Sequence, residues 1–300
     1  MHSYGATAMS EPLVYAVMLT KDRPELARRA IKCFRAQTYA NRNLVILNTG
    51  SQNIGWDYKG LDIVIMDDVV GVGYHFATQI AKHRFDVRKD MGPGSIMELN
   101  RSRGCADMTI GYLRNVVNAV AIPMADAEII IHWDDDDWSH PNRIAEQVEF
   151  LQRSKADVVG YNELLFWRTE KRLAQEPGRV TVDCYGTEQA WLYTRRHGNY
   201  CPGTSLCYWR KTWEAHPFKD APSNSMAGCE YQHWFQGALK VGRMSSLIVD
   251  LREDEVKLLM IARIHGGNSM SYDLEDTIAR GSTEWKRVPD WDDKVREILA

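Results

Sequence analysis

"EIIIHWDDDDWSHP", residues 128–141, sets four consecutive aspartates directly behind a run of isoleucines. The apolar run reads as a strand buried on both faces, the habit of a parallel sheet. Four adjacent carboxylates repel one another, so something at the end of that strand must compensate for them. Two readings follow from the residues alone: a solvated acidic turn, or a divalent cation carrying a phosphorylated ligand. In a parallel α/β sheet, ligands bind outside the carboxyl ends of the strands, where these aspartates would sit. Magnesium and manganese take oxygen ligands, typically one or two carboxylates with phosphate oxygens and water. The D-x-D spacing of Asp134 and Asp136 sends both side chains to one side of an extended backbone.

Working outward, the same texture repeats. "LVYAVML" (13–19) is a second near-continuous apolar run, and Pro24 suits the first turn of a helix with Ala27, Ile31 and Phe34 inward. "NLVILNTGS" (43–51) and "LDIVIMDD" (61–68) read as further strands. Residues 71–108, rich in glycine and scattered charge, read as a long insertion. A helix over 111–125 is expected to turn Leu113, Val116, Val117 and Val120 inward. Pro141 opens another, with Ile144, Val148 and Leu151 facing the core, and "ADVVGYNELLFW" (156–167) gives a strand. The segment 168–236 is rich in aromatics, a late strand ends near His265, and 271–300 reads as a polar tail with weak helical patterning. Short apolar strands alternating with amphipathic helices argue for a mostly parallel α/β sheet.

With 300 residues the chain can bury a large core, and a net charge of −3 gives no global attraction to nucleic acid or anionic membrane. No apolar run approaches the roughly 20 residues that span a bilayer. The opening residues lack the basic and apolar regions of a signal peptide. Six scattered cysteines show no zinc-like spacing and read as buried reduced thiols, hence a cytoplasmic protein. The loop lacks the central glycine and terminal glutamate of an EF-hand, and no phosphate-binding GxxxxGK[ST] occurs.

In order along the chain, "MLTKDRPELARRAIKCFRAQTYANRNLVILNTGS", "LRNVVNAVAIPMADAEIIIHWDDDDWSHPNRI", "PGTSLCYWRKTWEAHPF", "CEYQHWF" and "RIHGGNSM" resemble the segments of family 2 glycosyltransferases of GT-A fold. The resemblance implies a Rossmann-like sheet flanked by helices. Residues 1–270 would form one domain, with a nucleotide-sugar half at about 13–137, an acceptor half at about 138–270, and the tail 271–300. It implies inverting transfer of a sugar from a nucleoside-diphosphate donor, UDP-sugar first, to a hydroxyl acceptor, with Mn2+ or Mg2+. The acceptor is open among glycan, lipid-linked and protein hydroxyls; no nucleic-acid partner and no integral membrane segment are expected.

Carried over residue by residue, the resemblance places metal on Asp134, Asp136 and His265. Thr20, Asp22, Asn48, Thr49, Arg114, Asp134 and Asp135 fall at donor-contacting positions, with Asn48 and Thr49 standing where the family has aspartates. Glu230 takes the place of the catalytic base, next to Cys229 where a second acid is usual. That base accepts the acceptor hydroxyl's proton as its oxygen attacks. Asp137, Trp138 and Trp234 are candidates to touch acceptor, since indole faces stack on sugar C–H surfaces. Asp137 equally suits a capping role. A sugar-phosphate nucleotidyltransferase, or a binding module without turnover, are the alternatives.

Overall fold

The computed structural model describes residues 11–52, 54, 63–67, 110–125, 127–169, 171–172, 182–183, 188–196, 198–218, 239–250, 255–265, 278 and 281–300. The insertion 71–108, Glu230 and Trp234 lie outside them. No described helix is long and apolar enough to cross a membrane.

β1 (Val14–Thr20) shows why the core has two sides. Its residues point alternately to opposite faces. Val14, Ala16 and Met18 join one apolar cluster with Ala27, Ala30, Ile31 and Phe34 of α1 (Pro24–Arg35). Tyr15 and Val17 join another with Val116, Val117 and Ala119 of α2 (Ile110–Ala125). β1 is thus sandwiched, each buried aliphatic contributing about 1.5–3 kcal/mol. β2 (Arg42–Asn48) and β3 (Ile63–Asp67) follow outward on one side, each parallel to its neighbour. After α2 the chain returns to the other side of β1, where β4 (Ile129–His132) pairs parallel, Val17 opposite His132. The described order is therefore 3-2-1-4, and it reverses between β1 and β4. A crevice outside the strand ends belongs at such a reversal.

β5 (Trp138–Ser139) and α3 (Arg143–Ser154) follow the aspartates, with Pro141 two residues ahead of the helix. Ile144, Val148 and Leu151 are buried as the periodicity predicts. β6 (Val158–Arg168) is the long strand of the second half. β7 (Lys171–Arg172) and β8 (Val182–Asp183) form a separate small ladder. β9 (Gln189–Thr194) runs antiparallel to β6. β10 (Cys207–Trp209), which leads into α4 (Arg210–Ala215), lies antiparallel between β4 and β6 and joins the halves. β11 (Val241–Ser245) pairs with β6 in parallel, and β12 (Leu247–Asp250) forms a hairpin with β13 (Glu255–Leu258). β14 (Met260–Ile264) pairs with the end of β6 and with β5. The α/β class expected from the sequence is the one observed: parallel in the first half, mixed in the second.

Within 271–300 the structure shows a strand and a helix packed on the main sheet. β15 (Trp285–Arg287) pairs antiparallel with β9 and extends the main sheet. α5 (Asp292–Leu299) buries Val295 against Leu165, Trp167 and Ala190. Trp285 meets Phe166 and Tyr193 with ring centroids 4.9 Å away from each. A few large side chains thus anchor a segment that is polar on average. Among the described cysteines, Cys201 and Cys207 are buried free thiols and Cys33 is half-buried, as expected.

Candidate functional site

Where β4 ends, Trp133 is buried, its Nε1 donating to the Ala30 carbonyl at 3.0 Å. The backbone then turns through residues 134–137 before β5. This places the aspartates beside the end of β1, at the reversal of strand order. Thr20, the last residue of β1, donates from Oγ1 to Asp135 Oδ2 at 2.6 Å. Arg114 on α2 reaches under the same edge and pairs with Asp134 through Nη2, while its Nη1 donates to the Val17 carbonyl at 3.3 Å. Asp137 turns inward, accepting from the Arg263 backbone N–H at 3.0 Å and from the Thr204 hydroxyl. It ties the acidic turn to β14 and to the 202–206 loop. His265, just past β14, brings Nε2 within 2.9 Å of Asp136 Oδ2.

The electrostatics are unbalanced. Burial opposes the charge of Asp134, yet the Arg114 guanidinium outweighs it and holds the carboxyl below the usual range. Burial, then the neighbouring Asp136 charge, pushes Asp135 up to about 7. Burial and the charges of Asp136 and Asp134 raise Asp137 well above its ordinary value. Carboxyls retain protons when too little positive charge faces them. Asp134, Asp136 and Asp137 each offer an oxygen within 4.8 Å of the other two. An all-oxygen group of this size fits a magnesium- or manganese-sized cation. Asp134 and Asp136 stand in this group together with Asp137, and His265 reaches it through its hydrogen bond to Asp136.

Two of the expected donor contacts serve their own loop. Asn48 accepts at Oδ1 from Gly50 N–H at 3.1 Å and donates from Nδ2 to the Gln52 carbonyl at 2.9 Å, closing the turn after β2. Asp22 accepts at Oδ1 from Ser51 N–H at 2.6 Å, Ser51 Oγ at 2.9 Å and Gln52 N–H at 3.2 Å. Those bonds hold its carboxyl below the ordinary value, the Ser51 hydroxyl first. Asp22 has φ of +52°, a conformation disfavoured for a residue with a Cβ and stabilised here by the loop around it. Thr49 reaches back to β1, its N–H donating to the Thr20 carbonyl at 2.9 Å. Trp138 is half-buried, packed on the cluster of Leu165, Trp167 and Leu258 and edge-on to His140.

Gly50 is required by this arrangement, since a Cβ there would lie 2.3 Å from the Asp22 backbone nitrogen. Gly50→Ala is expected to cost about 1–3 kcal/mol through forced displacement of the 20–23 loop. A urea midpoint measured beside the wild type checks this; an unchanged midpoint would contradict it.

Sequence reasoning passed over Arg23, Arg143, Thr204 and Arg263. Arg23 Nη2 lies 2.9 Å from Asp135 Oδ1 and its Nη1 3.2 Å from Asp136 Oδ2. Arg143 sits beneath the turn, fully buried, donating to Ser139 Oγ and the His132 carbonyl, each at 2.9 Å, and to the Thr204 carbonyl at 3.1 Å. The repulsion among the four aspartates was itself the signal that nearby arginines had to be found.

No protein-family model matches the chain, and comparison with curated proteins gives no match. Among solved structures it is similar to residues 1–349 of S. aureus TarS in complex with UDP-GlcNAc, at 12% identity and TM-score 0.47 over 86% of this chain. The same protein in complex with UDP gives 10% identity and TM-score 0.45 over 84%. This chain spans 60% of the length of those structures. The Pyrobaculum calidifontis mannosyltransferase PcManGT, in complex with GDP-Man and Mn2+, gives 14% identity and TM-score 0.29, covering 50% of this chain and 35% of that one.

Proposed function

We propose that the chain is a metal-dependent glycosyltransferase that moves a sugar, with inversion, from a nucleoside-diphosphate donor to a hydroxyl acceptor, and that UDP-sugars are its first donors. The observation that carries this reading is the convergence of Asp134, Asp136 and Asp137 at the strand-order reversal, each offering an oxygen within 4.8 Å of the other two. The five ordered sequence segments support the same reading. In this proposal the three carboxylates hold a Mn2+ or Mg2+ ion, which when bound supplies charge neutralisation for the departing diphosphate. Arg114 fixes the rotamer of Asp134. Thr20 does the same for Asp135, and Asp137 anchors the turn through Arg263 and Thr204. His265 orients Asp136. Preorganised groups of this kind need no rearrangement as charge develops. Glu230 is assigned the acceptor's proton.

A melting-temperature panel of UDP, GDP, CDP and dTDP, each with manganese and with EDTA, tests the reading. A rise for one nucleotide, lost in EDTA, is the expected result and identifies the donor base. No rise with any nucleotide in manganese would overturn it.

A further inference from the structure

We propose that Arg23 is an internal placeholder for the divalent cation: its guanidinium neutralises the acidic turn of the metal-free protein and is displaced from Asp136 when the ion enters. This deepens the metal-dependent reading above and rests on it. Among the described residues, Arg23, Arg114, Arg143 and Arg263 feel the charge of the aspartates, and burial separates the role of Arg23 from those of Arg114 and Arg143. Arg143 and Arg114 are 0% and 4% exposed and are locked to backbone carbonyls. Arg23 is 28% exposed and meets the cluster from the solvent side, bridging Asp135 and Asp136. Its Nη1 also lies 3.4 Å from His265 Nε2, so it occupies the space in front of the His265–Asp136 pair.

The geometry is built rather than incidental. Arg23 is the N-cap residue of α1, where the helix dipole disfavours a cation. It directly follows Asp22, whose positive φ is accompanied by bonds from Ser51 and Gln52 and by the close approach of the bare Cα of Gly50. Its departure leaves no carboxylate stranded: Asp135 keeps Thr20 and Asp136 keeps His265. A cation that can leave without unfolding anything competes with the metal for the same oxygens.

Competition is read by binding. Manganese is titrated calorimetrically into metal-stripped wild type, Arg23→Gln and Arg23→Lys, with no nucleotide present. Without the guanidinium the like charges are uncompensated, so Arg23→Gln is expected to bind manganese about tenfold more tightly. Arg23→Lys keeps a charge that cannot fork across two carboxylates, and should fall between them. In EDTA, Arg23→Gln should melt below the wild type, and saturating manganese should close the gap. Manganese bound no more tightly by the variants than by the wild type overturns the placeholder role alone. Manganese bound by none of the three overturns the metal-dependent reading, and the placeholder with it.

Discussion

Arg143→Leu is expected to lose about 3–5 kcal/mol of folding stability, the largest effect of any single replacement around the site. The side chain is fully buried and serves four acceptors: Ser139 Oγ, Gln147 Oε1 at 3.2 Å, and the carbonyls of His132 and Thr204. It also stacks 4.9 Å from the Trp133 ring. Leucine fills part of the volume but leaves two backbone carbonyls without this donor, and an unpaired buried acceptor costs about 1–3 kcal/mol. Arg143→Lys should recover little, since a single ammonium cannot span the planar fork that joins β4, β5 and the 202–206 loop. Chemical denaturation of the three proteins measures this. A loss below about 1 kcal/mol for Arg143→Leu, well under the usual cost of stranding such groups, would show that the loops hold together without it.

Asp136→Ala is expected to act in the opposite sense, lowering kcat/KM for metal-dependent donor turnover by about two to three orders of magnitude, some 2.7–4 kcal/mol of transition-state stabilisation. Folding should be spared. Asp136 is a main source of the repulsion that raises Asp135 and Asp137. Removing it relieves that repulsion while costing the half-buried contact to Arg23 and the hydrogen bond from His265. The melting temperature in EDTA should therefore stay level or rise, the pattern of a residue kept for function against stability. Donor hydrolysis or transfer, measured beside a metal-free melt, reads both quantities. Full activity in Asp136→Ala would remove it from the site; a collapse of stability would make it structural.

β1 to β4 and β6 were legible because covered strands leave an unmistakable apolar run, and α1 and α3 because their buried residues recur at helical spacing. β15 was not, since a three-residue edge strand has no period to detect and its burial rests on Trp285. Within the site, the position of the aspartates followed from the strand before them. What each polar side chain faces did not. Asn48 and Asp22 carry residue types suited to a ribose or base, and their bonds to the turn after β2 were not legible from type or spacing. Residue type and spacing do not distinguish a side chain that closes its own loop from one that awaits a ligand. Arg23 was overlooked for the complementary reason: an arginine beside a proline at a helix start reads as surface until the fold brings residues 135 and 136 to it.

The site's contacts join parts of the chain that are remote in sequence. Thr20 meets Asp135 across 115 positions, His265 meets Asp136 across 129, and Arg23 meets His265 across 242. Such closures cost entropy that nearby contacts do not repay, so they form late and slowly. The acidic turn gains its partners only once β1, β4 and β14 have all taken their places. On the proposed metal-dependent reading, competence to hold a cation is thus a report on completed folding: a chain arrested part-way exposes four aspartates to water and gathers nothing.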